Sequence, residues 1–126
     1  MVKECRSSFE LANPSRVPVE KIQVDGCLID DGSERCDWLF VFKTHCDIAF
    51  YVELKGCDIK KAVSQLGATL AATRERFKNS QITCFAVTSR YPSQGPSVQK
   101  LVKDFYRKFS VQLIVKNCRK IVNIDC

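Results

Sequence analysis

The chain has 126 residues, 45% of them hydrophobic, and 20 lysines and arginines stand against 14 aspartates and glutamates for a net charge of +6. One domain spanning residues 1–126 is therefore expected, long enough to bury a core that stands without disulfides or metal. No run approaches the roughly 20 apolar residues of a membrane span, the opening MVKECRSSFELANPS lacks the apolar segment of a secretory leader, and the positive balance favours an acidic partner such as nucleic acid or an anionic surface.

These features predict an intracellular, cytoplasmic protein in a reducing compartment. The eight cysteines agree, since Cys5, Cys27, Cys36, Cys46, Cys57, Cys84, Cys118 and Cys126 form no CxxC pair and no zinc-knuckle spacing. They read as small buried hydrophobes or half-exposed thiols rather than bridges or zinc ligands.

In chain order, residues 2–11 read as a short helix, with Cys5 and Phe9 on one side and Asn13-Pro14 as its stop. Residues 22–29 alternate as a strand, and Asp30-Asp31-Gly32-Ser33 is a turn cluster. Residues 36–43, apolar on both faces with Trp38, Phe40 and Phe42 on one of them, predict a central strand. A turn over 44–47, holding His45 at the surface, leads into an antiparallel strand over 49–55. There Phe50, Val52 and Leu54 are expected on the core face, with Tyr51, Glu53 and Lys55 directed away from it.

Gly56 breaks that strand, and Asp58 is placed to cap a helix over 59–78 whose stripe is Ile59, Ala62, Val63, Leu66, Leu70 and Phe77. Residues 82–88 form a strand that should pair parallel with the meander, because a helical crossover separates them. The loop SRYPSQGPS precedes a second helix, entered at Pro96 and buried through Val98, Leu101, Val102, Phe105 and Phe109. Residues 111–116 and 121–124 are two expected edge strands.

The succession of a strand, a strand with Asp37, a strand with Glu53-Leu54-Lys55 and a helix with Gln65 resembles the PD-(D/E)xK nuclease superfamily over residues 3–88. Within it, the compact basic chain is similar to the restriction-endonuclease-like and Holliday-junction-resolvase-like branch. Cys36 stands where the family motif has proline, and the acidic residue of the first helix would be Glu4 or Glu10. The resemblance implies an α/β, restriction-endonuclease-like core: a three-stranded antiparallel meander, a crossover helix and a parallel fourth strand, followed here by a C-terminal helix and edge strands. It further implies a metal-dependent endonuclease acting on DNA, branched or structured DNA included. A homodimer is implied as well, because two sites must cut two strands.

Such chemistry has its own physical demands. A hard divalent cation must withdraw charge from the phosphate and lower the pKa of a bound water. Mg²⁺ or Mn²⁺ would be held by the carboxyl groups of Asp37 and Glu53 and the carbonyl of Leu54, since Mg²⁺ takes oxygen ligands and keeps several waters. Lys55 would stabilise the charge that develops in the transition state, and Gln65 would orient a phosphate or the attacking water. A plainer reading makes Glu53 and Lys55 a surface ion pair worth about 0 to 1 kcal/mol. Asp25 is a reserve ligand, whereas Asp30 and Asp31 belong to the turn.

Arg90, Lys100, Lys103, Arg107 and Lys108, with Tyr91, Lys116, Arg119 and Lys120 nearby, form a candidate phosphate-tracking face that would position nucleic acid without reading its bases. A solvated amphipathic helix accounts for the same charges. The competing functional readings are a catalytically inactive nuclease-fold module that binds nucleic acid, and a protein-interaction module, which would need Trp38, Phe40 and Phe42 exposed. The nucleic acid so read is DNA, with RNA as the alternative polyanion.

Overall fold

The computed structural model describes residues 2–4, 7–13, 16–23, 38–44, 46–55, 59–88, 96–117 and 119–123. They form β1 (Val2–Glu4), β2 (Ser7–Ala12), β3 (Val19–Gln23), β4 (Trp38–Lys43), β5 (Asp47–Lys55), α1 (Ile59–Thr73), β6 (Gln81–Thr88), α2 (Pro96–Phe109), β7 (Gln112–Asn117) and β8 (Arg119–Asn123). The class is mixed α/β. One sheet runs in the order β3-β4-β5-β6-β7 and a second in the order β1-β2-β8.

In the larger sheet β3, β4 and β5 are an antiparallel meander. α1 then carries the chain over to β6, which lies parallel to β5, and α2 carries it to β7, parallel to β6. The meander, crossover helix and parallel fourth strand are thus arranged as the hydrophobic pattern predicts.

β5 and β6 lie inside the sheet and carry unbroken apolar runs, Ile48 to Val52 and Cys84 to Val87, a composition that requires both faces to be covered. Helices cover one face: Leu39, Ala49, Tyr51, Cys84, Ala86 and Leu113 pack against Ile59, Leu66, Leu70 and Phe105. The small sheet covers the other, where Phe9, Leu11 and Val122 meet Phe40, Val52, Leu54, Phe85 and Val87. Phe9 has no exposed surface and lies 5.5 Å from the Phe40 ring and 5.0 Å from that of Phe85.

The expected N-terminal helix is therefore replaced by two strands. Phe9 and Leu11 alternate with polar neighbours, which suits a strand with one covered face, and β2 pairs in parallel with β8 from the far end of the chain. On its other edge β2 pairs antiparallel with β1, so the partner that makes it an inner strand is distant in sequence while the other is adjacent. The predicted strand over 22–29 is described only as β3, beginning at Val19, and the rest of that stretch lies outside the described residues. Of the two expected edge strands, β7 borders the large sheet, whereas β8 joins the small one.

α1 ends at Thr73 rather than near residue 78. The hydroxyls of Thr69 and Thr73 donate to the carbonyls of Gln65 and Thr69 at 2.9 and 2.7 Å, back-bonds that compete with regular helix. The chain continues in tighter turns closed by Arg76 N–H to Thr73 C=O (3.0 Å) and Ser80 N–H to Phe77 C=O (2.9 Å). Phe77 is thereby folded back edge-on to Tyr51, with centroids 6.4 Å apart. α2 ends at Ser110, whose left-handed φ of 56° and N–H bond to Tyr106 C=O (2.7 Å) close the last turn.

Phe9→Ala should cost about 3 to 5 kcal/mol, as expected for emptying a fully enclosed aromatic site. A denaturant-midpoint measurement checks this, and a loss below about 1 kcal/mol would mean that the small sheet does not seal the second face.

Candidate functional site

The carboxyl ends of β5 and β6 lie side by side because the two strands are parallel, with Glu53 in register with Ala86 and Lys55 with Thr88. Alternation along β5 places Glu53 on the same face as Tyr51, the face under the helices. Glu53 and Thr88 are 0% exposed. The expected wet patch is not what forms here: on a strand covered on both faces, Glu53 lies in the interior rather than at a solvated surface.

α1 is registered over β5 by a bond of 2.5 Å between the hydroxyls of Tyr51 and Thr73. Gln65 lies eight residues earlier on α1, about 12 Å toward the end of the sheet that carries Glu53. Gln65, Thr69 and Thr73 are four residues apart and form one polar file down the helix. Gln65 Oε1 and both carboxyl oxygens of Glu53 lie beneath the surface. The flank of α1 facing α2 is instead built on small residues. At Gly67 a Cβ would stand only 3.0 Å from the Phe109 ring, so glycine is what lets the helices approach.

Of the predicted site residues, Glu53 and Gln65 share the helix-covered side of the sheet. Asp37 lies outside the described residues. Trp38, which follows it, pairs with Val52, which precedes Glu53. The backbone of Lys55 continues the ladder with β6, and its side chain lies outside the described residues. The Leu54 side chain belongs to the opposite core, among Phe9, Phe40 and Val87. Arg90, Tyr91, Asp25, Asp30, Asp31, His45, Asp58 and the side chain of Glu4 also lie outside the described residues.

Glu10 is in β2 rather than in a helix, and its neighbours Phe9 and Leu11 turn toward the large sheet, so Glu10 is aimed away from it. It therefore does not join Glu53. The sequence reading missed Thr88, Thr69 and Thr73. Their signal was hydroxyl residues at a spacing of four inside an apolar helical stripe, and a threonine closing an apolar strand.

Among the described residues, no three His, Cys, Asp or Glu side chains gather as a metal cluster. The oxygen donors at this end of the sheet, the Glu53 carboxyl group and the Leu54 carbonyl, are of the kind a hard cation accepts. Lys100, Lys103, Arg107 and Lys108 are all exposed on α2, as predicted, and the first three share one face by their spacing. Asp104 interrupts that face. The described helices include none long and apolar enough to cross a membrane. No protein-family model matches the chain, and no curated protein or solved structure matches it either.

Tyr51→Phe removes the hydroxyl that ties β5 to α1 while keeping the ring. A stability loss of about 1 to 2 kcal/mol is expected from thermal or denaturant unfolding. No loss at all would mean that the bond does not set the position of the helix.

Proposed function

We propose that the chain is a divalent-metal-dependent endonuclease of the PD-(D/E)xK type, with a restriction-endonuclease-like core and phosphodiester bonds of DNA as its substrate. The observation that carries this reading is the position of Glu53. It lies at the carboxyl end of the strand where the sheet changes from antiparallel to parallel pairing, next to the crossover helix that bears Gln65. Open α/β sheets bind ligands at such an end. The pairing of Trp38 with Val52 supports Asp37 as the second carboxyl ligand, since each is the chain neighbour of a proposed metal residue.

In this reading Asp37, Glu53 and the carbonyl of Leu54 hold Mg²⁺ or Mn²⁺, which supplies Lewis-acid activation of water and phosphate when bound. Lys55 provides positive charge toward the scissile phosphate, and Gln65 orients by hydrogen bonding. The exposed cations of α2 position the polyanion. Two strands of a branched or structured substrate call for two copies of the chain.

The complete enclosure of Glu53 favours a second reading, a nuclease fold that binds nucleic acid without cutting it. The buried aromatics Phe40 and Phe42 weigh against a protein-interaction module built on β4.

Plasmid and branched-DNA cleavage in Mg²⁺ or Mn²⁺ should fall by about 100-fold or more in Glu53→Gln and in Lys55→Ala. Equal cleavage by both variants and the wild type would falsify the assignment. Metal binding has a separate readout: Mn²⁺ at 100 times its Kd should stabilise the wild type by about 2.7 kcal/mol. The Asp37→Asn and Glu53→Gln proteins, verified as folded, should show no such shift. A wild type insensitive to millimolar Mn²⁺ supports the non-cutting module.

A further inference from the structure

The end of the molecule opposite Glu53 carries a second basic feature. Tyr106 is 60% exposed on α2, the most exposed large hydrophobic side chain among the described residues. Lys103 and Arg107 flank it, about 6 Å apart along the helix axis, and together the three line a groove of about 590 Å³ beside the outer strand β7. A second groove of about 400 Å³ is lined by Arg74 and Lys78 from the turns after α1. The two grooves meet, since Ser110 and Gln112 line both.

Of the two cations that line the second groove, Lys78 pairs with Glu75 at 3.3 Å, and Arg74 leaves the groove a positive excess. Two basic clusters, one on α2 and one in the turns after α1, thus border the channel that the two adjoining grooves make, with an unshielded aromatic ring at one side of it.

We propose that this channel binds single-stranded nucleic acid, with one base stacked on Tyr106 and the neighbouring phosphates held by Lys103 and Arg107 on one side and by Arg74 and Lys78 on the other. Cations along a groove and an exposed ring are the two elements that hold unpaired strands without sequence preference. A duplex satisfies the cations, but its stacked and paired bases offer the ring no face. The channel lies away from Glu53. Ala86, the partner of Glu53, pairs with Val115, and Gln112 is three residues further down β7. The offset in the sheet plane is roughly 14 Å. A strand seated here is the flanking, unpaired part of a substrate whose scissile bond is elsewhere. The inference rests on the nucleic-acid part of the proposed function and not on its chemistry.

The test is fluorescence anisotropy in EDTA, so that cleavage plays no part, using a labelled oligothymidylate of about 20 nucleotides and a duplex of equal length. The single strand should bind more tightly than the duplex. Tyr106→Ala should weaken it by about 5- to 100-fold, with Tyr106→Phe retaining most of the affinity. Arg107→Ala should reduce the slope of log affinity against log salt by about 0.7. Absence of oligonucleotide binding at low salt, equal binding of the duplex, or an unchanged affinity in Tyr106→Ala would each overturn the proposal. Tyr106-dependent binding without any metal-dependent cleavage upholds this channel and rejects the nuclease. Cleavage that needs Glu53 but ignores Tyr106 does the reverse.

Discussion

A carboxyl group enclosed on the central strand of a sheet is the most demanding single feature of this molecule. Glu53 has no exposed surface, and an ionised group in that setting costs several kcal/mol unless charge or hydrogen bonds compensate it. The nearby part of the fold is correspondingly polar where a purely structural core would be apolar. Thr88 closes the neighbouring strand beneath the surface, and Gln65, Thr69 and Thr73 run along the covering helix. The bond between Tyr51 and Thr73 holds that helix in register with β5.

The two covers of the sheet differ in kind. Under the helices the side chains are mostly aliphatic or small, and Gly67 lets Phe109 approach closely. Against the small sheet, Phe9, Phe40, Phe42, Phe50 and Phe85 form a chain of rings with neighbouring centroids 5.0 to 5.5 Å apart, tilted, stacked or edge-on. Of the β4 aromatics, Phe40 and Phe42 are buried between the layers and Trp38 is half-buried.

Along the strand direction the molecule is divided a second time. The carboxyl ends of β5 and β6 hold the enclosed Glu53 and Thr88, while the opposite end carries the exposed Tyr106 with Lys103, Arg107, Arg74 and Lys78. Parallel pairing of β5, β6 and β7 separates the two ends, because these three strands point the same way. A polyanion engaging both ends would lie across the sheet rather than along a single helix.

Periodicity alone located β4, β5, β6, β7 and both helices, since each buries a face whose spacing is written locally. The crossover between β5 and β6 likewise predicted their parallel pairing, because a strand–helix–strand unit has few ways to close. The candidate residues on β5 and α1 came instead from the resemblance of the Glu53-Leu54-Lys55 pattern, followed by a helix with Gln65, to the nuclease superfamily. Three matters were decided only in three dimensions. Residues 7–12 became the middle strand of a sheet, with β1 on one side and, on the other, β8 from more than a hundred positions later. α1 stopped at Thr73 because threonine back-bonds and the pull of Phe77 toward Tyr51 outweighed an otherwise continuous helical stripe. Glu53 went inside, and not to water, because alternation distinguishes two faces of a strand but says nothing of how many will be covered.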